Sequence, residues 1–125
     1  MKNQENAVLV NMYKMGLDYA KAWEMLPTLL TLARLAKKHH KLAEIACNGE
    51  GYIRGRAYTC GVKSDNVSSA YVSEDRTIFD VESEKVEAKI ESICKRIGLR
   101  VEFQGDPRGY TCKFYFGERF LDIQG

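Results

Sequence analysis

The chain has only two prolines and one tryptophan, and no apolar run approaches the roughly 18 to 20 residues that a bilayer crossing requires. No membrane-spanning helix is therefore expected. The opening Met1-Lys2-Asn3-Gln4-Glu5-Asn6 has no basic stretch leading into an apolar segment, so no secretory signal is expected and a reducing cytoplasm is the expected compartment. Nothing reads C-x-x-C, the paired-ligand signature of zinc sites. Gly49, Gly51, Gly55 and Gly61 match neither G-x-x-x-x-G-K-[ST] nor G-x-G-x-x-G, and they follow a helix where phosphate loops follow a strand, so nucleotide binding by those motifs is unsupported. A dominant charge is lacking too. Nineteen Lys plus Arg face seventeen Asp plus Glu, a net +2. That is too balanced for a surface that attracts nucleic acid everywhere and too basic for a mimic of DNA.

What is present is a chain of 125 residues, 45% apolar and 29% charged, enough to build one core, so a single domain over 1–125 is expected. Cys47, Cys60, Cys94 and Cys112 are an even number but form no compact framework, and free thiols are expected. Cys47, Cys94 and Cys112 are expected to be small buried hydrophobes, as free cysteines usually are. His39, His40 and Cys47 come nearest to a ligand cluster, because His40 and Cys47 lie seven apart on one helix face. No metal and no cofactor is expected.

Val8, Leu9, Met12, Met15, Tyr19, Ala22, Trp23 and Leu26 recur at three-and-four spacing, which predicts a helix over 7–25 weakened by Gly16. Pro27 is expected to end it or open the next helix, over about 28–47. That second helix puts Leu32, Ala36, His40, Ala43 and Cys47 on one side and Arg34, Lys37, Lys38 and Lys41 on the other, and Asn48-Gly49 ends it. From 50 to 80 the periodicity fails. An irregular or hairpin-like insert is expected, with short strands at Tyr52-Ile53, Ala57-Tyr58-Thr59, Ala70-Tyr71-Val72 and Thr77-Ile78-Phe79. A third helix over 82–97 gathers Val86, Ile90, Ile93, Cys94 and Ile97, with Gly98 as its cap. Alternation then predicts two strands, 99–104 and 110–116, joined through Asp106-Pro107-Arg108-Gly109 as a type I turn with a glycine bulge. Phe120-Leu121-Asp122-Ile123 adds an edge strand. The expected class is α+β: three helices packed on a small antiparallel sheet with a C-terminal β-hairpin.

Two residue sets suggest binding. In the insert, Tyr52, Arg54, Arg56, Tyr58 and Tyr71 mix the residue types that dominate protein interfaces, and Arg108 sits at an expected hairpin tip. The stripe Arg34, Lys37, Lys38 and Lys41 suits phosphates, and tyrosines among arginines suit single-stranded nucleic acid. Residues 1–48 hold seven cations and four acids, only a small surplus. His39 and His40 flank their helix's apolar arc, where a partly buried, hydrogen-bonded histidine is the simplest reading. No carboxylate spacing marks an acid–base partner, so the chain is expected not to be an enzyme.

The blocks Cys47-Asn48-Gly49, Ala88-Lys89-Ile90-Glu91 and Gly98-Leu99-Arg100-Val101-Glu102-Phe103-Gln104-Gly105-Asp106-Pro107-Arg108-Gly109-Tyr110 resemble small bacteriophage and prophage proteins of unassigned function, which end in a helix, a strand, a G-D-P-R-G turn and a second strand. The resemblance covers about 29–49 and 84–116. Those proteins join the two helices by a short linker, where this chain carries the 50–80 insert and an added N-terminal helix. The resemblance implies a viral or prophage origin and action in the host cytoplasm, and it brings no active site. With the small size and lack of catalytic groups, it leads to the expectation of a non-enzymatic phage accessory protein. Such a protein would bind and inhibit a host protein or ribonucleoprotein, most concretely as an anti-CRISPR. The alternative is a small nucleic-acid-binding module.

Overall fold

In the computed structural model, which describes residues 8–10, 12, 16 and 18–124, the dominant element is helix α1, Tyr19–Asn48. Its start is set by Asp18, whose carboxylate accepts the Lys21 backbone N–H at 2.8 Å, and its end by Gly49 at φ 78, whose N–H donates to Ile45 O. Two expectations change here. The helix expected over 7–25 is divided at Gly16, at φ 82, leaving an earlier helical segment at residues 8–10 and 12, with Val8 and Met12 fully buried; Met15 lies outside the described residues. Pro27, expected as a boundary, lies inside α1. An internal proline costs about 3 kcal/mol, but Leu26, Leu29 and Leu32 are buried on both sides of it, each worth about 1.5–3 kcal/mol. Continuous packing outweighs the lost hydrogen bond.

Helix α2, Ile78–Ile97, starts four residues earlier than expected and takes Ile78 and Phe79 from the expected strand Thr77-Ile78-Phe79, leaving Thr77 at the end of a short strand. A capping box is responsible. The Thr77 hydroxyl accepts the Asp80 N–H, and the Asp80 carboxylate accepts the Thr77 N–H at 2.8 Å. Phe79, Glu82, Val86, Ile90 and Cys94 form its buried arc, which packs mainly on α1.

The insert is three pieces. Strands β1 (Glu50–Ile53) and β2 (Arg56–Thr59) make an antiparallel hairpin through Arg54-Gly55; β3 (Ser68–Ser69) joins β2 in parallel; β4 (Tyr71–Ser73) and β5 (Arg76–Thr77) form a second, bulged pair. Both central turn residues of the first hairpin have positive φ, Arg54 at 48 and Gly55 at 80, the backbone pattern of a tight two-residue hairpin turn.

The C-terminal sheet has the order β6 (Arg100–Phe103), β7 (Cys112–Phe116), β8 (Arg119–Leu121), all antiparallel. Val101 faces Phe114 and Phe103 faces Cys112, as the alternation requires. The connection is wider than the expected four-residue turn. It runs from Gln104 to Thr111, whose backbones are hydrogen-bonded at 2.9 Å, and Gly109 does not take a positive φ; the Gln104 amide fills the loop by donating to Tyr110 O and Asp106 O. Buried apolar residues of α1, α2 and the C-terminal strands, with Ile53 of β1 and Ala70 between β3 and β4, belong to one cluster. No helix of the described residues is long and apolar enough to cross a membrane.

Candidate functional site

The basic stripe of α1 and the β1–β2 hairpin meet across a groove of about 450 Å³. Arg34, Lys37, Lys38 and Lys41 line its helix side, with about 10 Å of axial rise from first to last. Leu42, Ile45 and Ile53 make an apolar floor, and Tyr52 and Arg54 form the opposite bank. Five cations therefore face one carboxylate, Glu82, giving the groove a larger positive surplus than the whole chain carries.

The hairpin lies this close because residue 51 is glycine. A Cβ there would fall 2.4 Å from Ile45 Cγ2 and 2.9 Å from Cγ1, inside any tolerable contact. With Gly51 seated against Ile45, the alternation of β1 buries Ile53 and leaves Tyr52 70% exposed, its ring available as a stacking surface. Arg54 is the single non-glycine residue with positive φ among those described; this backbone, sparsely populated for arginine, aims its guanidinium at Glu82. Glu82 comes up from α2. Its side chain is 8% exposed, and the Arg54 guanidinium lies against Oε1 as an ion pair. Lys85 Nζ is 3.8 Å from Oε2.

The structure thus unites Tyr52 and Arg54 with Arg34, Lys37, Lys38 and Lys41, and it separates the other expected residues from them. Arg56 is exposed on β2, donating to the Ser68 hydroxyl at 3.1 Å, and Tyr58 beside it is half-buried against the core rather than displayed. Tyr71 is exposed on β4. Arg108 does reach the hairpin tip, but its guanidinium is held by the Asp106 carboxylate at 2.6–3.0 Å. That hydrogen bonding raises Arg108 above its ordinary pKa and holds Asp106 below the usual carboxylate range.

The two histidines are fully occupied. His39 is buried, with Nε2 2.8 Å from Glu87 Oε2 and Nδ1 2.8 Å from Thr111 Oγ1. A carboxylate accepts, so Nε2 donates to Glu87, and Nδ1 is paired with the Thr111 hydroxyl, tying α1, α2 and the start of β7 together. His40 Nε2 meets Pro107 O at 3.0 Å and Nδ1 meets Glu44 Oε1 at 2.9 Å. Among the described residues no group of three His, Cys, Asp or Glu is placed to hold a metal ion. All four cysteines are free; Cys94 and Cys112 are buried, whereas Cys47, expected inside, is exposed on the last turn of α1. Compared with known families, curated proteins and solved structures, the chain has no significant match.

The residue missed from sequence is Glu82. Its signal was present: it stands three after Phe79 and four before Val86, on the apolar arc of α2, where an acid is out of place unless something faces it.

Proposed function

We propose that the groove between α1 and the β1–β2 hairpin binds single-stranded nucleic acid, the cations holding successive phosphates and Tyr52 stacking a base. The observation that carries this reading is the convergence of five cations and a 70% exposed tyrosine on one groove with an apolar floor. Phosphate contacts supply sequence-independent affinity, and a base on an aromatic ring adds about 1–3 kcal/mol. Binding, not catalysis, is the proposed role, in keeping with both histidines being committed to structural partners.

The test is fluorescence anisotropy with a labelled thymidine oligonucleotide between about 50 and 200 mM salt. Log affinity should fall against log salt by about 0.7 per phosphate contacted. Lys37→Gln with Lys38→Gln should flatten that slope, and Tyr52→Ala should weaken binding by about 1–3 kcal/mol. No binding at about 50 mM salt, or indifference to all three substitutions, would overturn the reading. A second reading, that of a phage accessory protein inhibiting a host protein or ribonucleoprotein in the manner of an anti-CRISPR, draws support from Tyr71 and Val72, which are both exposed on β4. Capture of a partner that resists salt and is lost with Tyr71→Ala would favour it.

A further inference from the structure

Resting on the nucleic-acid reading, we propose that Glu82 selects guanine among the bases that enter the groove, with Arg54 as the cover that swings away to admit it. A carboxylate is an unexpected group at the bottom of a phosphate-binding groove. It repels the backbone it lies beneath and can only accept hydrogen bonds. Here it is also buried, and what faces it is two exposed cations: the Arg54 guanidinium against Oε1 and Lys85 Nζ 3.8 Å from Oε2. A buried carboxylate stays charged only while cations or donors face it, so a ligand that displaces Arg54 must bring donors of its own.

Base edges supply donors, and they differ in how many stand side by side. Single-stranded bases are read on their Watson–Crick edges. Guanine presents N1–H and the 2-amino group as adjacent donors, matching the two oxygens of one carboxylate. Thymine and uracil offer one N–H between two carbonyls. Adenine and cytosine place a ring-nitrogen acceptor beside their amino group, which would face the second carboxylate oxygen with a lone pair. A groove of about 450 Å³, within the usual range of ligand sites, has room for one base beside Tyr52.

The cover is built to move. Arg54 is 72% exposed, stands at the tip of a two-residue turn, and makes a single ion contact to Glu82. An incoming phosphate offers its guanidinium a bidentate alternative to that contact. Displacement of Arg54 then uncovers Oε1 for the base while keeping the cation in the complex.

The experiment compares two labelled DNA hexamers, all-thymidine and the same strand with one guanosine at its third position, on the full-length protein. The guanosine strand should bind about tenfold tighter, in line with one bidentate base contact. Replacing that guanosine by inosine, which lacks the 2-amino donor, should remove most of the preference without altering the protein. Glu82→Gln should cut the preference below about twofold while the thymidine strand binds as tightly as before or tighter, since a repulsive charge has gone. Arg54→Ala should weaken both strands and keep the preference. Equal binding of the two strands by the unaltered protein, or an undiminished preference in Glu82→Gln, would overturn the inference and leave the groove as a sequence-blind site. If neither strand binds, the nucleic-acid reading falls and this one falls with it. A merely structural Arg54–Glu82 pair predicts that both substitutions weaken both strands equally.

Discussion

Replacing Gly51 by alanine tests how the groove is assembled. Gly51 does not need glycine for its backbone angles, so the added methyl acts through contact alone. Built at its ideal position, that Cβ lies 2.4, 2.9 and 3.2 Å from Cγ2, Cγ1 and Cβ of Ile45. Ordinary carbon contacts are about 3.5–4.0 Å, so the hairpin must retreat from α1 by about 1 Å, because a β-branched side chain has few rotamers with which to yield. Overpacking of this kind costs about 1–3 kcal/mol, and the reduced freedom of the unfolded chain returns about 0.4–1 kcal/mol, leaving a net loss of about 1–2 kcal/mol. Urea unfolding of four proteins measures it: the original, Gly51→Ala, Ile45→Ala and the double variant. In the Ile45→Ala background the two closest atoms are gone, so Gly51→Ala should cost close to nothing there, a coupling of about 1–2 kcal/mol. Oligonucleotide binding should follow the same cycle, since Tyr52 and Arg54 move with the hairpin. An equal cost of Gly51→Ala in both backgrounds would refute the contact, and a neutral effect in the original protein would show that β1 does not lie this close to α1.

His39→Ala should destabilise the fold by about 3–5 kcal/mol, because it empties a buried site, removes a buried and a part-buried hydrogen bond and takes the Thr111 hydroxyl's partner away, whereas His40→Ala, at a half-exposed site, should cost less than about 1 kcal/mol by urea unfolding. Similar losses at both positions would contradict the burial difference. Thr77→Ala should cost about 1 kcal/mol and release the first turn of α2, read as faster amide exchange there with the rest of the helix unchanged. Burial pushes the Cys94 thiol up to about 11 and the Cys112 thiol up to about 12 from an ordinary 9.0. The unfolded chain loses those protons first, so their contribution to stability holds below about pH 9 and disappears as pH rises toward 11–12. The alkaline fall in Tm should accordingly be shallower in Cys94→Ala with Cys112→Ala, and an unchanged slope would reject the assignment. At about pH 8, iodoacetamide should label exposed Cys47 promptly and reach Cys94 and Cys112 only after unfolding.

Local signals carried the parts of the fold that depend on local physics. The alternation of 99–104 and 110–116 was enough to put Val101 and Phe103 on one face with Cys112 and Phe114, because a one-residue slip would expose the whole apolar face; which of them stand opposite each other depends on the wider connection. The arc Val86, Ile90 and Cys94 was equally plain. Errors arose where two rules compete. Pro27 reads as a break on propensity, yet Leu26, Leu29 and Leu32 keep α1 continuous through burial, a term that depends on partners elsewhere in the chain. Thr77-Ile78-Phe79 reads as strand on β-branching and aromaticity, yet Thr77 with Asp80 forms a capping box and starts a helix. Cys47 continued the apolar arc by count, but the core ends before the last turn of α1 does.

The site was legible as two lists and not as one place. Arg34 to Lys41 appear as a stripe because a helix repeats every 3.6 residues, and Tyr52 with Arg54 appear as an aromatic-basic pair near glycines; neither pattern says that they face each other. What joins them is the fold-back after Gly49, whose positive φ ends α1 and sends β1 back along it, and the missing side chain at Gly51, which lets the two surfaces close. Glu82 comes from a third element about thirty residues later. A carboxylate from a distant helix meeting an arginine held at positive φ is a tertiary coincidence that no single-element periodicity encodes. That is why the residue proposed to discriminate between bases was the one the linear pattern concealed. Yet an acid on an otherwise apolar arc is itself a readable anomaly: burying it unpaired would cost several kcal/mol, so the position demanded a cation nearby before the structure showed Arg54 there.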